Sequence, residues 1–213
     1  MFFNFAESVN TESGEDVVAI ALAGSGDVAL DSRLETGSEG DRVWISANAN
    51  GTRWNGFWDE ETDEWVNNVE LADVALAVGI DRYQVDLGDG ADRLDVNVWA
   101  NAATPTAIGV RESTVDGGLG DDSINVWANT NDAAGMDPAI GLQDSVLRSG
   151  EGADSVNISA VASSGTGTVE AFGLLGTSED GGNALLATGA DDDTVWISAN
   201  ANGTRWNGFW DEE

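Results

Sequence analysis

Five aspartates stand at the same place in the same kind of turn. Asp41, Asp92, Asp122, Asp154 and Asp193 each close a short, acidic, glycine-rich segment: TGSEGD, LGDGAD, GGLGDD, SGEGAD and TGADDD. A weaker version, TESGED, ends at Asp16. Glycines in these turns (Gly88, Gly90, Gly118, Gly120, Gly150 and Gly152) accept positive φ, which lets backbone carbonyls turn toward one point. Carbonyls and carboxylates are hard oxygen donors, and Ca²⁺ takes about six to eight of them in a flexible cage. Asp89, Asp121, Glu151 and Asp191 add negative charge at the same corner. A second reading needs no metal: Gly-x-Gly-x-Asp makes a tight corner whose Asp bonds backbone N–H groups. Carboxylates stacked about 4.8 Å apart repel by roughly 1 to 3.5 kcal/mol per pair, for an effective dielectric between about 80 and 20. A cation turns that repulsion into a clasp.

The elements that must position these aspartates follow from the residues after them. Two residues beyond each turn Asp come Val43, Leu94, Ile124, Val156 and Val195. Four beyond come Ile45, Val96, Val126, Ile158 and Ile197, and six beyond come Ala47, Val98, Ala128, Ala160 and Ala199. Asp16 fits the pattern with Val18, Ile20 and Leu22. Period-two alternation predicts strands with one buried face, and the matching columns predict that successive repeats pair in register. Ahead of the turns stand Leu34, Val85, Val115, Leu147 and Leu186. A third short strand reads Ala-Φ-Gly-Φ, with Φ apolar, at 77–80, 107–110, 139–142 and 171–174. Three short strands in each repeat of roughly 31 residues predict an all-β chain wound as a right-handed parallel β-helix, a β-solenoid of about six rungs. Asn-Gly or Asp-Gly hairpin signals do not recur between neighbouring strands, which argues against a two-sheet sandwich.

Such a chain is a single domain, residues 1–213, with interruptions. Residues 1–15 read as an N-terminal cap, with Phe2, Phe3 and Phe5 over the end of the core. Residues 51–68 form a Trp-rich insertion that carries Arg53, Trp54, Asn55, Trp58 and Trp65. These side chains are a candidate surface for carbohydrate or another protein; the alternative is aromatics packed on the solenoid flank or capping it. Outward strand positions add Trp44, Trp99, Trp127 and Trp196 with Asn125 and Asn157, and an exposed aromatic column would mark a contact surface. Residues 43–61, VWISANANGTRWNGFWDEE, recur letter for letter as 195–213. That identity beside diverged repeats points to recent duplication, a larger tandem array or deliberate construction. Residues 195–213 read as a truncation or capping segment, with Trp206, Phe209 and Trp210 placed to cover an open strand edge. End-to-end self-association is another way to cover it.

The bulk composition narrows the partners. The formal charge is −31, all eight basic residues are Arg, and His is absent. Nucleic acid needs a basic footprint that this chain lacks, whereas bound cations complement an acidic surface. An acidic surface also simply keeps a protein soluble. With 41% apolar residues and nine Trp, the chain is too hydrophobic for a disordered acidic tail. Without Cys or His, disulfides, thiolate sites and imidazole chemistry are excluded. No stretch approaches a membrane span, and the first residues lack the pattern of a signal peptide.

The turns resemble the nonapeptide Gly-Gly-x-Gly-x-Asp-x-Φ-x of RTX (haemolysin-type) calcium-binding repeat proteins. Residues 117–125, GGLGDDSIN, match at every position. LGDGADRLD and SGEGADSVN lack only the first Gly, TGADDDTVW also lacks the Gly at the fourth position, and TGSEGDRVW has that one displaced. The resemblance implies Ca²⁺ held between adjacent turns by backbone carbonyls and the turn carboxylates, with Φ in the core and the best sites between Asp92, Asp122 and Asp154. It also implies a secreted or cell-surface protein, exported by a type I-like route. RTX repeats run in tandem with two nonapeptides per rung, whereas one occurs here per roughly 31 residues. That leaves a single file of sites along one corner.

On this reading the chain is a non-catalytic, calcium-stabilised structural or adhesive module. One rival is a polysaccharide-acting β-helix enzyme, or a carbohydrate-binding module that uses the Trp-rich loop. A lyase of this fold wants Lys, Arg or His beside its metal, and Lys and His are absent. A hydrolase wants an acid pair; outward acids are sparse, Asp95 is the clearest, and none is expected to pair at matching height. The other rival is a metal-free structural β-helix.

Overall fold

The alternating segments do become strands, and the strands pair only with their counterparts in neighbouring repeats. The computed structural model describes residues 9–11, 13–22, 32–49, 56–59, 64–67, 76–101, 106–131, 138–164, 169–177 and 182–201. Every regular element among them is a β-strand. Three sheets are parallel throughout, and the chain visits them in rotation.

The long-strand sheet carries the residues that follow each turn Asp. Its order is Thr194–Ala201, Ser155–Ala162, Ser123–Asn131, Arg93–Asn101, Arg42–Ala49 and Val17–Leu22. Its register runs Val18, Val43, Leu94, Ile124, Val156, Val195, which is the sequence column unshifted. The short-strand sheet precedes the turns, with Val9–Asn10, Ser32–Glu35, Tyr83–Asp86, Thr114–Asp116, Val146–Arg148 and Leu185–Ala187 in spatial order. Leu34, Val85, Val115, Leu147 and Leu186 share one row of it. The third sheet holds the Ala-Φ-Gly-Φ strands: Leu76–Asp81, Thr106–Arg111, Ala139–Gln143 and Ala171–Leu175.

A main apolar core lies between the sheets, beside a small cluster of Ala139, Ala160, Ala162 and Val169, and the rows of the main core are the columns of the sequence. Leu34, Ile45, Leu94, Ile124, Leu142, Leu147 and Ile158 are almost completely enclosed. The glycine in Ala-Φ-Gly-Φ has a packing cause. A Cβ on Gly109 would stand 2.2 Å from the Val126 Cγ1 and 2.6 Å from the Gly141 carbonyl oxygen. Gly79, Gly141 and Gly173 meet Val96, Ile158 and Ile197 in the same way. The missing side chain therefore lets the third sheet close against the long strands.

A second corner joins the third sheet to the short strands. Arg82, Glu112 and Asp144 take positive φ there, at 52°, 47° and 49°. A serine follows two of them. The Tyr83 N–H donates to the Ser113 hydroxyl at 3.0 Å, and the Ser113 N–H donates to the Ser145 hydroxyl at 3.1 Å.

The insertion departs from the expected loop. Gly56–Asp59 and Glu64–Asn67 form a two-stranded antiparallel ribbon, in which Trp58 and Trp65 are register partners. The paired aromatic and β-branched residues at the centres of GFWD and EWVN suit such a ribbon. Phe2, Phe3, Phe5, Trp206, Phe209 and Trp210 lie outside the described residues.

Gly109→Ala should destabilise the protein by about 1–3 kcal/mol, as added core volume commonly does. Combining it with Val126→Ala should be strongly non-additive in chemical denaturation, because both changes act on one contact. Simple additivity would show that the glycine is not a packing requirement.

Candidate metal-binding corner

The turn segments stack as the sequence columns require. Isolated parallel bridges link Ser13, Ser38, Asp89, Leu119, Glu151 and Ala190 from one turn to the next. Within this stack the Leu119 N–H donates to the Gly88 carbonyl at 2.8 Å, and the Glu151 N–H to the Gly118 carbonyl at 2.9 Å. Gly88, Gly118 and Gly150 have φ of 92°, 101° and 118°. A Cβ on Gly118 would stand 1.8 Å from the Gly88 carbonyl oxygen, so both the conformation and the close approach demand glycine.

The departures from the nonapeptide have local explanations. Where the fourth-position glycine is absent, Glu39 and Asp191 take its place with φ of 80° and 83°. Where the first is absent, the position faces inward. Leu87 joins the core there, the Thr36 hydroxyl donates to the Leu87 carbonyl at 2.7 Å, and the Ser149 hydroxyl donates to the Thr188 carbonyl at 3.0 Å.

The turn aspartates form an unbroken ladder. The backbone N–H of Asp16 donates to Asp41 Oδ1 at 2.7 Å, that of Asp41 to Asp92 at 2.7 Å, and that of Asp92 to Asp122 at 2.8 Å. The N–H of Asp122 donates to Asp154 at 2.9 Å, and that of Asp154 to Asp193 at 3.0 Å. Asp41, Asp92, Asp122 and Asp154 are all buried. In each of these four, and in Asp16, the second carboxylate oxygen is enclosed with no hydrogen-bond partner. A buried ionised oxygen left in that state is costly unless a proton or a cation meets it. Burial accordingly pushes the Asp92 carboxyl up to about 6 and the Asp122 carboxyl up to about 7. The N–H donor from the preceding turn opposes that rise, and neighbouring Asp charges add to it. Asp41 is raised as well, chiefly by burial, against the N–H of Asp16.

The ladder therefore unites Asp41, Asp92, Asp122, Asp154 and Asp193. It does not gather the outer acids with them. Asp89 and Asp121 are exposed, and Asp121 Oδ1 accepts the Ala153 N–H at 2.9 Å. Among the described residues no three acidic side chains surround one point. The donor chemistry still suits a hard cation, because five unpartnered carboxylate oxygens line one corner. At Gly117 two oxygens already approach one spot: a Cβ there would lie 2.6 Å from Asp122 Oδ2 and 2.0 Å from the Ser149 carbonyl oxygen.

The expectation that no outward acids pair at matching height is corrected. Glu35 and Asp86 are register partners on the short-strand sheet. Arg33 bridges them, with its Nη2 at 2.7 Å from Glu35 Oε1 and 2.8 Å from Asp86 Oδ2. The insertion separates these residues by 51 positions, which hides the pairing from a repeat count. A guanidinium already occupies the space between the carboxylates, so the trio is a surface ion-pair cluster. Asp95 is held by Arg93 at 2.7 Å and by the Asn125 amide at 3.1 Å. Arg53, Trp54 and Asn55 lie outside the described residues, and of Trp58 and Trp65 only the backbone register is described.

The raised carboxyls fix the sign of the pH dependence. A folded pKa above the unfolded one gives stability that is fully present below the ordinary value of 3.8 and is lost as pH rises through about 6 to 7. Without metal, the melting temperature should fall across that window and level off above it. Asp122→Asn keeps an acceptor but cannot ionise, so its melting temperature should fall less steeply than that of the parent chain. Equal slopes would show that the ladder does not titrate as a buried acid.

No family model matches the chain, and neither a curated protein nor a solved structure matches it.

Proposed function

We propose that the chain is a right-handed parallel β-helix of about six rungs that serves as a calcium-stabilised, non-catalytic structural or adhesive module of a secreted or cell-surface protein. One observation carries the calcium reading: the file of buried carboxylate oxygens without partners in Asp16, Asp41, Asp92, Asp122 and Asp154. The residues that would hold the ion are Asp92, Asp122 and Asp154, flanked by Asp41 and Asp193, with turn carbonyls making up the coordination number. The bound cation would neutralise the stacked carboxylates. The secreted or surface setting rests on the resemblance of 117–125 and its sister turns to RTX repeats.

A second reading is favoured by the other half of the same carboxylates. The Oδ1 atoms of Asp41, Asp92, Asp122, Asp154 and Asp193 already accept a backbone N–H, as a metal-free corner requires. In that case protonated Asp92 and Asp122 replace the cation, and the module is an acid-stabilised structural β-helix. A polysaccharide-acting enzyme is the remaining alternative, and the Arg33 guanidinium between Glu35 and Asp86 argues against that pair as its acids.

A melt at pH 7.5 in EDTA and in rising Ca²⁺ separates the first two. Extracellular calcium modules bind at about 10⁻⁴ to 10⁻³ M, and ligand at about 100 times Kd adds roughly 2.7 kcal/mol per site. A saturable rise of many degrees, absent in Asp122→Asn/Asp154→Asn, is the expected result. A melt indifferent to Ca²⁺ but responsive to acid would overturn the calcium reading in favour of the protonated ladder.

A further inference from the structure

We propose that the outward face of the long-strand sheet binds an extended, neutral polysaccharide chain. This inference stands apart from the calcium reading, because it concerns a different face of the molecule.

The inward rows of this sheet are aliphatic, whereas the outward rows carry Trp, Asn, Ser and Thr. Trp44 and Trp196 are each 39% exposed and Trp127 is 53% exposed, an unusual presentation for the largest side chain in a folded protein. Register fixes their layout. Trp44 and Trp196 share one row through Asp95, Asn125 and Asn157. Trp127 belongs to the next row and lies two strands from each of them. Strand spacing puts about 10 Å across the sheet and about 7 Å along it between Trp127 and either neighbour. The result is a shallow zigzag of indole platforms across parallel strands.

Charge decides the chemical class of the occupant. In a chain of net charge −31, the charged outward positions from Arg42 onward are Arg42, Arg93 and Asp95. Arg93 and Asp95 pair with each other at 2.7 Å. A cationic partner would gain little on this face compared with the acidic corner, and an anionic one would meet the repulsion of the whole molecule. A neutral polyhydroxy chain fits both components. Its rings have apolar C–H faces that stack on indoles, and its hydroxyls exchange hydrogen bonds with amide and hydroxyl side chains such as Asn157 and Ser155. Rows repeating at the strand spacing suit a ligand that also repeats.

Affinity electrophoresis tests the proposal, with the whole chain run through gels containing neutral glucans, mannan or xylan, and polygalacturonate as the anionic control. At least one neutral polymer should retard the protein and shift its Trp fluorescence, with little dependence on salt. Trp127→Ala should weaken that binding about tenfold, which corresponds to about 1.4 kcal/mol. Trp44→Ala and Trp196→Ala should weaken it less, and Leu119→Ala, in an exposed turn, should leave it unchanged. Circular dichroism melts of each variant separate lost binding from lost folding. The proposal is overturned if no neutral polymer retards the chain, if only polygalacturonate does, or if a folded Trp127→Ala binds like the parent.

Discussion

The hydrogen bond from one turn aspartate's N–H to the next one's carboxylate is the contact on which the rest of the architecture depends. Two bonding systems meet at this residue. Upstream, turn amides bond to turn carbonyls of the neighbouring repeat, as Leu119 does to Gly88. Downstream the parallel ladder begins, with the Ser123 N–H donating to the Asp92 carbonyl at 2.8 Å. Between them the Asp92 N–H finds no backbone acceptor and takes Asp122 Oδ1 instead. A buried amide left unpaired there would cost about 1–3 kcal/mol in every repeat. The two adjacent bonds also run in opposite directions between the same two turns. A slip of one residue would break both and turn each aliphatic row to the outside.

The same solution creates the difficulty at the corner. A carboxylate has two oxygens, and the geometry that offers Oδ1 to the neighbouring turn buries Oδ2 with nothing to meet it. Repeating the motif places one such oxygen after another along a single line. A proton resolves this at Asp92 and Asp122, whose carboxyls burial has pushed toward neutrality. A bound cation, as proposed, would resolve it for the whole file at once. The structural part of the motif and its ion-binding potential are therefore two halves of one side chain, and selection for either half retains the other.

The inward rows were fully legible in the sequence because two periods coincide, two residues along a strand and one repeat between strands. A single anchoring Asp sets the phase of both, so every register from Val18 to Val195 follows. The reason for that Asp was only half legible. Spacing can nominate it as a ligand or as a hydrogen-bond acceptor, but the burial of its second oxygen depends on neighbours roughly 31 residues away. The Glu35–Asp86 pair was hidden because the insertion breaks the repeat count between them. The serine ladder at Ser113 and Ser145 has a sequence signal, a Ser three residues past the end of the Ala-Φ-Gly-Φ motif. Single serines in turns are too common for that signal to stand out. The antiparallel ribbon lies in residues that follow no repeat, so no column could report it.

The duplicated segment provides an internal experiment on what determines burial. Residues 43–49 and 195–201 have the same sequence, VWISANA, and the same backbone state. Among the described residues, Arg42–Ala49 has a neighbour on both sides, whereas Thr194–Ala201 has one on one side only. Val43 and Ile45 are each 1% exposed, but Val195 and Ile197 are 43% and 42% exposed. The outward residue behaves differently: Trp44 and Trp196 are both 39% exposed. Stacking thus determines the environment of the inward residues and leaves that of this outward Trp unchanged. Core stability in such a chain is a property of neighbouring pairs and grows along the array. Each outward face is a property of its own strand. Surface chemistry can therefore be copied from one repeat to another without re-solving the core, and the Trp row at 44 and 196 is an instance of that.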